Sequence, residues 1–372
     1  MTKTSDRMRA LQRIANVEST AKLVTLNDLP DTQVVPTIFP AFNRAIGIGG
    51  APFRVTWLVH GPPASGKSSF AAGLVASFQK LGHYCGYIDA EYTVTKPWFE
   101  SLGVKIDDVL MHRPYNFEDM VNTVDMWVDG FVEGQRLGDI DSGAGFIIVA
   151  DTIHKPPCAA EMSVLKDEDK SDPELGKGWG RMRANAISTW VDRITPMVGN
   201  HNITMVSLAH EHEVPAKNSF SAPGYRVKGG QALYFEASVR TRITKGEKIT
   251  EGDGKNKRLI GNVHHILVEK NKIGVPNHKC DFYIGNGDGS MPLGFDTARE
   301  LVEEAIRCGL IDAKGKTIEL PDGTKCNGRN QAYARVRENP AIYNQLYIDT
   351  VNSNFFEEPT EPSEDLAPSD EV

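Results

Sequence analysis

The chain has 372 residues, of which 40% are hydrophobic and 24% charged, and its formal net charge is -8. This composition is typical of a soluble globular protein with room for two or three compact units. No apolar run approaches the roughly 18 residues that a membrane span needs, and residues 1–20 lack the apolar core of a secretory signal. The five cysteines are scattered and form no CxxC pair, which favours reduced thiols in a cytoplasm over a disulfide framework or a zinc site.

The acidity is concentrated at the C-terminus. Residues 357–372 contain seven acids and no base, and the remaining chain has 42 acids against 41 bases. We predict a disordered acidic tail over residues 356–372, which either keeps the protein soluble or mimics the charge of a nucleic acid.

Strands and helices are predicted to alternate through most of the chain. Residues 1–36 indicate a short helical arm, at 6–17, followed by a linker. The predicted strands are 55–60, 83–89, 109–112, 145–151 and 203–210, and the predicted helices are the segment after residue 66 and residues 117–133 and 181–198. Apolar strands separated by helices predict an α/β fold with a mainly parallel sheet, covered by helices on both faces.

The pattern changes after residue 228. Three shorter, more alternating runs, at 237–243, 263–269 and 280–285, fit antiparallel strands added at the sheet edge. Within the second run, His264 and His265 are expected to alternate between core and surface. A smaller helical unit with Gly/Pro punctuation follows. We therefore predict an α/β core over residues 37–290 and a small C-terminal domain over 291–355.

One motif matches a phosphate-binding pattern in full. GPPASGKS, residues 61–68, fits GxxxxGK[ST] and stands between a predicted strand and a predicted helix. Its glycines let backbone N–H groups turn toward phosphate oxygens, and the helix start adds the positive end of its dipole. We expect ATP here, with Lys67 neutralising the outer phosphates and Ser68 binding Mg²⁺. The residues expected to hold the phosphates are Gly61, Pro62, Pro63, Ala64, Ser65, Gly66, Lys67, Ser68 and Ser69.

Polar residues at the ends of other strands complete the predicted site. Asp151 is expected to be the second Mg²⁺ carboxylate. Glu91 lies just beyond the strand that ends at Asp89, and we favour Glu91 as the base that deprotonates the attacking water. His210 ends a further strand and is expected to sense the γ-phosphate. The His-Glu-His run at 210–212 also suggests a metal, but its spacing is poor for one.

A basic loop indicates nucleic-acid binding. Residues 214–230 contain three basic residues and no acid, and they interleave two aromatics with Gly, Pro, Ser and Asn. A loop of this kind suits phosphate neutralisation and base contact. The residues expected to contact DNA here are Lys217, Phe220, Tyr225, Arg226, Lys228, Gly229 and Gly230.

Together these segments resemble the RecA family of homologous-recombination ATPases, particularly its phage-type members, over residues 37–351. YIDAEYTVTKPWFESLGV resembles the segment with the family's catalytic glutamate, at Glu91, and IIVADT the Walker B strand, at Asp151. KGGQALYFEASVRTRI resembles the end of the second DNA-binding loop. VEKNKIGVP resembles the segment whose two lysines, here Lys270 and Lys272, reach the neighbouring subunit's nucleotide.

The resemblance implies a DNA-dependent ATPase that forms helical filaments on single-stranded DNA, pairs it with homologous double-stranded DNA and exchanges strands. ATP would lie between subunits, with Lys270 and Lys272 acting in trans as an arginine finger does. Arg181 matches a DNA-contacting arginine of the family, and Arg183 is close to it. The implied partners are other copies of the chain, the two DNAs, and single-strand-binding and loader proteins. The implied location is a cytoplasm, that of the host if a phage encodes the chain.

The sequence departs from the family pattern at several positions. His210 stands where bacterial members usually carry glutamine, and His212 replaces an arginine. The first loop, 161–180, is long and acidic. Thr95 or Lys96 replaces the aspartate on the adenine side. The aromatic residue that stacks on the base is Trp98 or Phe99, and the sequence leaves this choice open.

Two alternative functions remain for such a chain. A hexameric helicase motor is disfavoured because no arginine-rich finger segment follows the last core strands. A non-catalytic, ATP-dependent assembly factor is disfavoured because it does not need Glu91 beside the water.

Overall fold

The computed structural model describes residues 33–167, 178–214, 224–229, 231–313 and 315–353. The predicted helical arm, the acidic tail, Lys217, Phe220 and Gly230 lie outside these ranges. The described residues from Val34 onward belong to one compact unit, and the predicted domain boundary at residue 290 stays a prediction.

The described residues form fourteen strands, ten α-helices and two 3₁₀ helices, at Ile106–Asp108 and Gly254–Asn256. The strands are β1 (Val34–Val35), β2 (Ala51–Pro52), β3 (Val55–Gly61), β4 (Tyr84–Asp89), β5 (Leu110–His112), β6 (Phe146–Asp151), β7 (Ile203–Val214), β8 (Gly224–Val227), β9 (Val239–Glu251), β10 (Arg258–Asn271), β11 (His278–Asn286), β12 (Leu293–Phe295), β13 (Thr317–Glu319) and β14 (Lys325–Asn327). The helices are α1 (Pro40–Ala45), α2 (Lys67–Lys80), α3 (Lys96–Ser101), α4 (Phe117–Leu137), α5 (Ala159–Asp167), α6 (Trp179–Asn200), α7 (Gln231–Glu236), α8 (Thr297–Arg307), α9 (Arg329–Glu338) and α10 (Pro340–Asn352).

Ten of the strands form one sheet in the order β12-β11-β10-β9-β3-β7-β6-β4-β5, with β8 paired to β7. The strands from β3 to β5 in this order are parallel, and β10, β11 and β12 are antiparallel additions. The predicted fold class is confirmed. One detail was wrong, because β9 pairs with β3 in parallel. The chain crosses over through α7 before it enters β9, and a crossover returns the chain in the same direction.

Hydrophobic residues pack on both faces of the sheet. Trp57 and Val59 of β3 belong to the cluster under α1 and α2, whereas Leu58 between them belongs to the cluster under α4 and α6. Successive strand residues point to opposite faces, so continuous apolar strands are buried on both sides. This two-sided burial explains why the strands of the sequence contain so few polar residues.

Two segments differ from the predicted boundaries. The predicted first loop, 161–180, contains α5 and the beginning of α6, which starts at Trp179 rather than at residue 181. Strand β7 continues four residues beyond its predicted end because β8 pairs with it, from Glu211 opposite Val227 to Val214 opposite Gly224.

The C-terminal helices enclose a separate hydrophobic cluster that includes Leu301, Val336 and Leu346. Glu300 at its border accepts a 3.0 Å hydrogen bond from the Ala41 backbone N–H of α1. Within the described ranges, no helix is both long and apolar enough to cross a bilayer.

Phe39 is a stringent test of this packing, since its fully buried ring contacts Phe70, Phe282 and Phe295 at centroid distances of 5.0, 5.6 and 4.9 Å. We expect Phe39→Ala to lower the free energy of unfolding by about 3–5 kcal/mol, because the vacated space cannot collapse fully. Urea titration measures the change. Tyr115→Ala, at a 63% exposed residue, is the control and should change stability by less than about 0.5 kcal/mol.

Candidate functional site

The phosphate-binding loop connects β3 to α2 at the carboxyl edge of the sheet. Gly66 is the N-cap of α2 and has φ of +96°, a left-handed conformation that favours glycine. A Cβ atom at Gly66 would come within 2.6 Å of His264 Nδ1. The loop therefore needs glycine here both for its backbone conformation and for its close approach to β10.

Lys67 folds back across the loop. Its ammonium donates hydrogen bonds to the carbonyls of Gly61 (3.1 Å) and Pro62 (2.7 Å), and to Ser65 Oγ at 3.4 Å. Burial lowers the pKa of Lys67 to about 8, against the raising effect of nearby Asp151. An anion bound at the loop would favour the charged ammonium, so Lys67 is suited to a phosphate ligand.

Asp151 ends β6 with its carboxyl group almost fully buried. Oδ2 accepts a 2.7 Å hydrogen bond from the Tyr87 hydroxyl, whereas Oδ1 has no partner of normal geometry among the described residues. Burial raises the pKa of Asp151 to about 6, although the hydroxyls of Tyr87 and Ser68 lower it. A buried oxygen of this kind suits a cation that binds beside Ser68.

Glu91 follows β4 and meets His210 at the end of β7. Oε1 of Glu91 lies 2.8 Å from His210 Nε2 and accepts a 3.0 Å hydrogen bond from Thr152 Oγ1. Burial raises the pKa of Glu91, but these two hydrogen bonds outweigh it and leave the pKa below its usual value. Glu91 is thus an ionised carboxylate next to the loop, and its second oxygen makes no hydrogen bond among those of the described residues.

Asp89 ends β4, two residues before Glu91, and makes a different set of contacts. It is fully buried and accepts hydrogen bonds from the backbone N–H groups of Thr93 and Val94 and from Arg113 Nε, at 3.1 to 3.2 Å. These contacts fix the turn after β4. The geometry therefore favours Glu91, as the sequence did.

Sequence reasoning missed two residues of β10. His264 Nδ1 lies 2.8 Å from the carbonyl oxygen of Ser65, and its ring stacks on Phe282 at 4.8 Å. Asn262 lines a cavity beside the loop, and its buried Oδ1 has no hydrogen-bond partner within the described chain. His264 was expected only to alternate with His265 between surface and core. The sheet order brings His264 to Ser65, which lies 199 residues away in the sequence, and no local pattern signals that contact.

A cavity of about 380 Å³ brings most of these groups together, but Asp151 is not among its lining residues. Its lining residues are Ala64, Ser65, Gly66, Lys67, Ser68, Ser69, Glu91, Trp98, His210, Asn262, His264 and Ile284. Trp98 is 36% exposed, whereas Phe99 is 4% exposed and packs edge-on against Tyr87 at 5.1 Å. Of the two candidate aromatics, only Trp98 lines the cavity, whereas Phe99 is part of the core.

Lys270 and Lys272 do not line this cavity. They donate to backbone carbonyls at the end of α7, Lys270 to Phe235 and Lys272 to Glu236. Lys272 is exposed, and Lys270 is half-buried. Their position leaves the two ammonium groups accessible on the surface of one subunit.

The predicted DNA-contacting residues of the described chain gather mainly around a second cavity of about 560 Å³. Arg226, Lys228 and Gly229 line it, together with Arg183 and His212. Arg181 is exposed at the start of α6. Of the described residues that line the cavity, none is acidic, so it is suited to an anionic ligand.

Two of the residues predicted to contact DNA, Arg183 and Tyr225, have side chains that make contacts within the protein. Arg183 forms a bidentate ion pair with Glu161 of α5, at 2.6 to 3.0 Å. The Tyr225 ring lies under the Arg242 guanidinium, 4.1 Å from its centroid, and its hydroxyl donates to Glu269. Both side chains therefore have structural partners already.

The fold and the loop define a P-loop ATPase of the RecA-like class. A family model of the RecA N-terminal domain matches residues 7–291, and the chain belongs to the RecA family. It is 28% identical to Protein RecA of Paramagnetospirillum magneticum over 346 residues, which cover 91% of this chain and 88% of that protein. It is also 28% identical to Protein RecA of Cereibacter sphaeroides over 344 residues, 91% of each chain. Members of this family are DNA-dependent ATPases of homologous recombination and repair.

Trp98 gives a direct test of the base side of the cavity. We expect Trp98→Ala to weaken binding of a fluorescent ATP analogue by roughly three- to tenfold, because an aromatic stacking partner is lost. Phe99→Leu keeps a buried apolar side chain and should leave the dissociation constant unchanged. Equal weakening by both variants would contradict the assignment.

Proposed function

We propose that this chain binds Mg·ATP in the Gly61–Ser68 cavity, hydrolyses it with Glu91 as general base, and does so in a filament on single-stranded DNA. The observation that carries the proposal is the Glu91 carboxylate beside the phosphate loop, with its negative charge stabilised by hydrogen bonds. A binding protein without turnover has no need of this group.

Hydrolysis needs one proton transfer and one displacement. Glu91 accepts a proton from a water molecule while the water oxygen attacks the γ-phosphorus, and the bond to the bridging oxygen breaks to give ADP and phosphate. Lys67 offsets the negative charge on the outer phosphates. Ser68 and Asp151 are the residues that would hold Mg²⁺, which neutralises the phosphate oxygens when it is bound.

His210 connects the base to the phosphate. With its proton on Nε2 it donates to Glu91 Oε1, and the same proton can turn to a γ-phosphate oxygen. Burial lowers the pKa of His210, and the nearby charge of Lys67 lowers it further. The ring is therefore neutral and has one N–H group to donate. His210 is therefore suited to report whether the γ-phosphate is present.

The second cavity supports DNA binding by Arg181, Arg226, Lys228 and Gly229. The backbone N–H of Lys228 donates to the carbonyl of His210 at 2.8 Å. The residue proposed to sense phosphate is thus hydrogen-bonded to residues 224–229, which we call the basic segment. DNA phosphates at Lys228 and ATP at His210 would thus influence the same piece of backbone.

Lys270 and Lys272 would act on the nucleotide of the next subunit, where their charge offsets that of the transition state. Lys270 is held by a carbonyl of α7, which directly follows the basic segment. DNA contact can therefore change the placement of the lysines. Homologous double-stranded DNA is the proposed second substrate, and single-strand-binding and loader proteins are proposed partners.

The phage-type subclass is proposed only on the histidine at position 210, and the relatives named above are bacterial.

Electron microscopy with an ATP analogue and single-stranded DNA separates the functional alternatives. Continuous helical filaments support the recombinase, and closed rings would indicate a helicase motor. Strand exchange between homologous DNAs then excludes an assembly factor.

Substitution of the two central residues separates binding from chemistry. Lys67→Ala is expected to abolish ATP turnover, and more than a tenth of the wild-type rate would contradict its assignment. Glu91→Gln should keep ATP affinity but slow hydrolysis by about 10²–10⁴-fold, the usual contribution of a general base. Normal hydrolysis by Glu91→Gln would transfer the role to another group. Single-turnover assays and equilibrium binding measure the two effects.

A mixing experiment tests the site between subunits. Lys67→Ala and Lys270→Ala/Lys272→Ala proteins are each expected to be inactive. An equimolar mixture should recover about a quarter of the wild-type ATPase, since that fraction of random head-to-tail contacts combines two intact halves. Lys245→Ala/Lys248→Ala, on neighbouring β9, is the matched control and should be active alone. No recovery in filaments that form normally would rule out action in trans.

A further inference from the structure

A buried group of charged residues lies beside the site and takes no part in the proposed reaction. The fully buried His60 of β3 lies between two carboxylates, with Nδ1 3.2 Å from Glu211 and Nε2 3.0 Å from Glu269. Each carboxylate also meets an arginine, Glu211 with Arg242 at 2.6 Å and Glu269 with Arg240 at 2.8 Å. We call these five residues the His60 cluster.

The cluster is next in sequence to three residues of the proposed site. His60 precedes Gly61 of the phosphate loop, Glu211 follows His210, and Glu269 precedes Lys270. A shift of one carboxylate would therefore move a strand end that carries a functional side chain.

Tyr225 attaches the basic segment to this cluster. Its hydroxyl donates to Glu269 Oε1, and its ring packs against Arg242 and lies 5.8 Å from the His60 ring. Burial raises the pKa of Glu269, but bonds from His60, Tyr225 and Arg240 outweigh it and lower the pKa to about 2. Hydrogen bonds to an ionised, partly buried carboxylate are among the stronger ones in proteins.

The alternative role for Tyr225 is base stacking, which the basic loop of the sequence suggested. The Arg242 guanidinium covers one face of this ring, which leaves at most the other face for a base. The hydroxyl is directed at Glu269, whereas the neighbouring Arg226 and Lys228 line the basic cavity. Tyr225 therefore faces the cluster while its neighbours face the cavity.

We propose that Tyr225 and Glu269 are positioning residues whose hydrogen bond holds β8 in its DNA-free arrangement and thereby restrains ATP hydrolysis until DNA binds. The inference rests on the proposed function of the loop and of the basic cavity. DNA phosphates that draw Arg226 and Lys228 toward them pull Tyr225 away from Glu269. Glu269 is then free to move relative to Arg240, and Lys270 moves with it.

Tyr225→Phe distinguishes the two roles because phenylalanine keeps the ring and loses only the hydroxyl. We expect the ATPase rate without DNA to rise by roughly three- to tenfold, as the loss of one charged hydrogen bond shifts the balance toward the active arrangement. The stimulation by single-stranded DNA should fall by a similar factor. The DNA concentration for half-maximal stimulation should not increase. A wild-type rate without DNA, or weaker DNA binding, would overturn the proposal.

A second variant and a control complete the experiment. Glu269→Gln should raise the DNA-free rate in the same direction. Adding Tyr225→Phe to it should change the rate little further, because Glu269→Gln already removes the negative charge to which the Tyr225 hydroxyl donates, together with the Arg240 ion pair. Tyr333→Phe removes a tyrosine–glutamate hydrogen bond, to Glu303 in the C-terminal cluster, and should leave the ratio of stimulated to DNA-free rates unchanged. If Glu269→Gln does not fold, judged by thermal unfolding, Tyr225→Phe decides alone.

The outcomes also separate this inference from the proposed function. A wild-type protein without ATPase activity, with or without DNA, would refute the function itself. If DNA stimulates the wild-type protein, and Tyr225→Phe has the same ratio of stimulated to DNA-free rates as the wild type, only the role of Tyr225 and Glu269 is refuted.

Discussion

The parallel alignment of the central strands is the constraint on which the site depends. Gly61 at the end of β3 pairs with His210 of β7, and Asp89 at the end of β4 pairs with Asp151 of β6. Backbone hydrogen bonds set this register, and a slip of one residue would turn every side chain to the opposite face. The buried apolar strands make such a slip costly, so the core of the sheet also fixes the geometry of the polar edge.

Electrostatics in the cavity follow from the same burial. Desolvation lowers the pKa of Lys67 to about 8 and raises that of Asp151 to about 6. Each group is thus held closer to neutrality than it would be in water, with opposite charge nearby. A polyphosphate and a divalent cation supply the counter-charges that favour the ionised forms. Lys67 and Asp151 are therefore groups that a bound polyphosphate and cation would hold in their charged forms.

The sequence predicted the parts of this site that are local. The phosphate loop is one contiguous motif, and Glu91, Asp151 and His210 each follow an apolar strand, so a parallel sheet necessarily brings them to one edge. It could not predict contacts that depend on strands distant in sequence. His264 supports the loop from β10, and Glu269 of β10 reaches His60 of β3 across the intervening strand β9. The choice of Trp98 over Phe99 depends on which side of α3 faces the core. The pairing of Arg183 with Glu161 depends on a helix in a segment that its composition suggested was a loop.

Strand β10 has a consequence for how turnover would spread. At its centre His264 contacts the phosphate loop, and six residues later the half-buried Lys270 lies outside the loop's cavity. In a head-to-tail assembly, a single rigid strand would therefore span two successive nucleotides. Every subunit would present its loop on one side and its lysines on the other, so the influence of one site on the next has a direction.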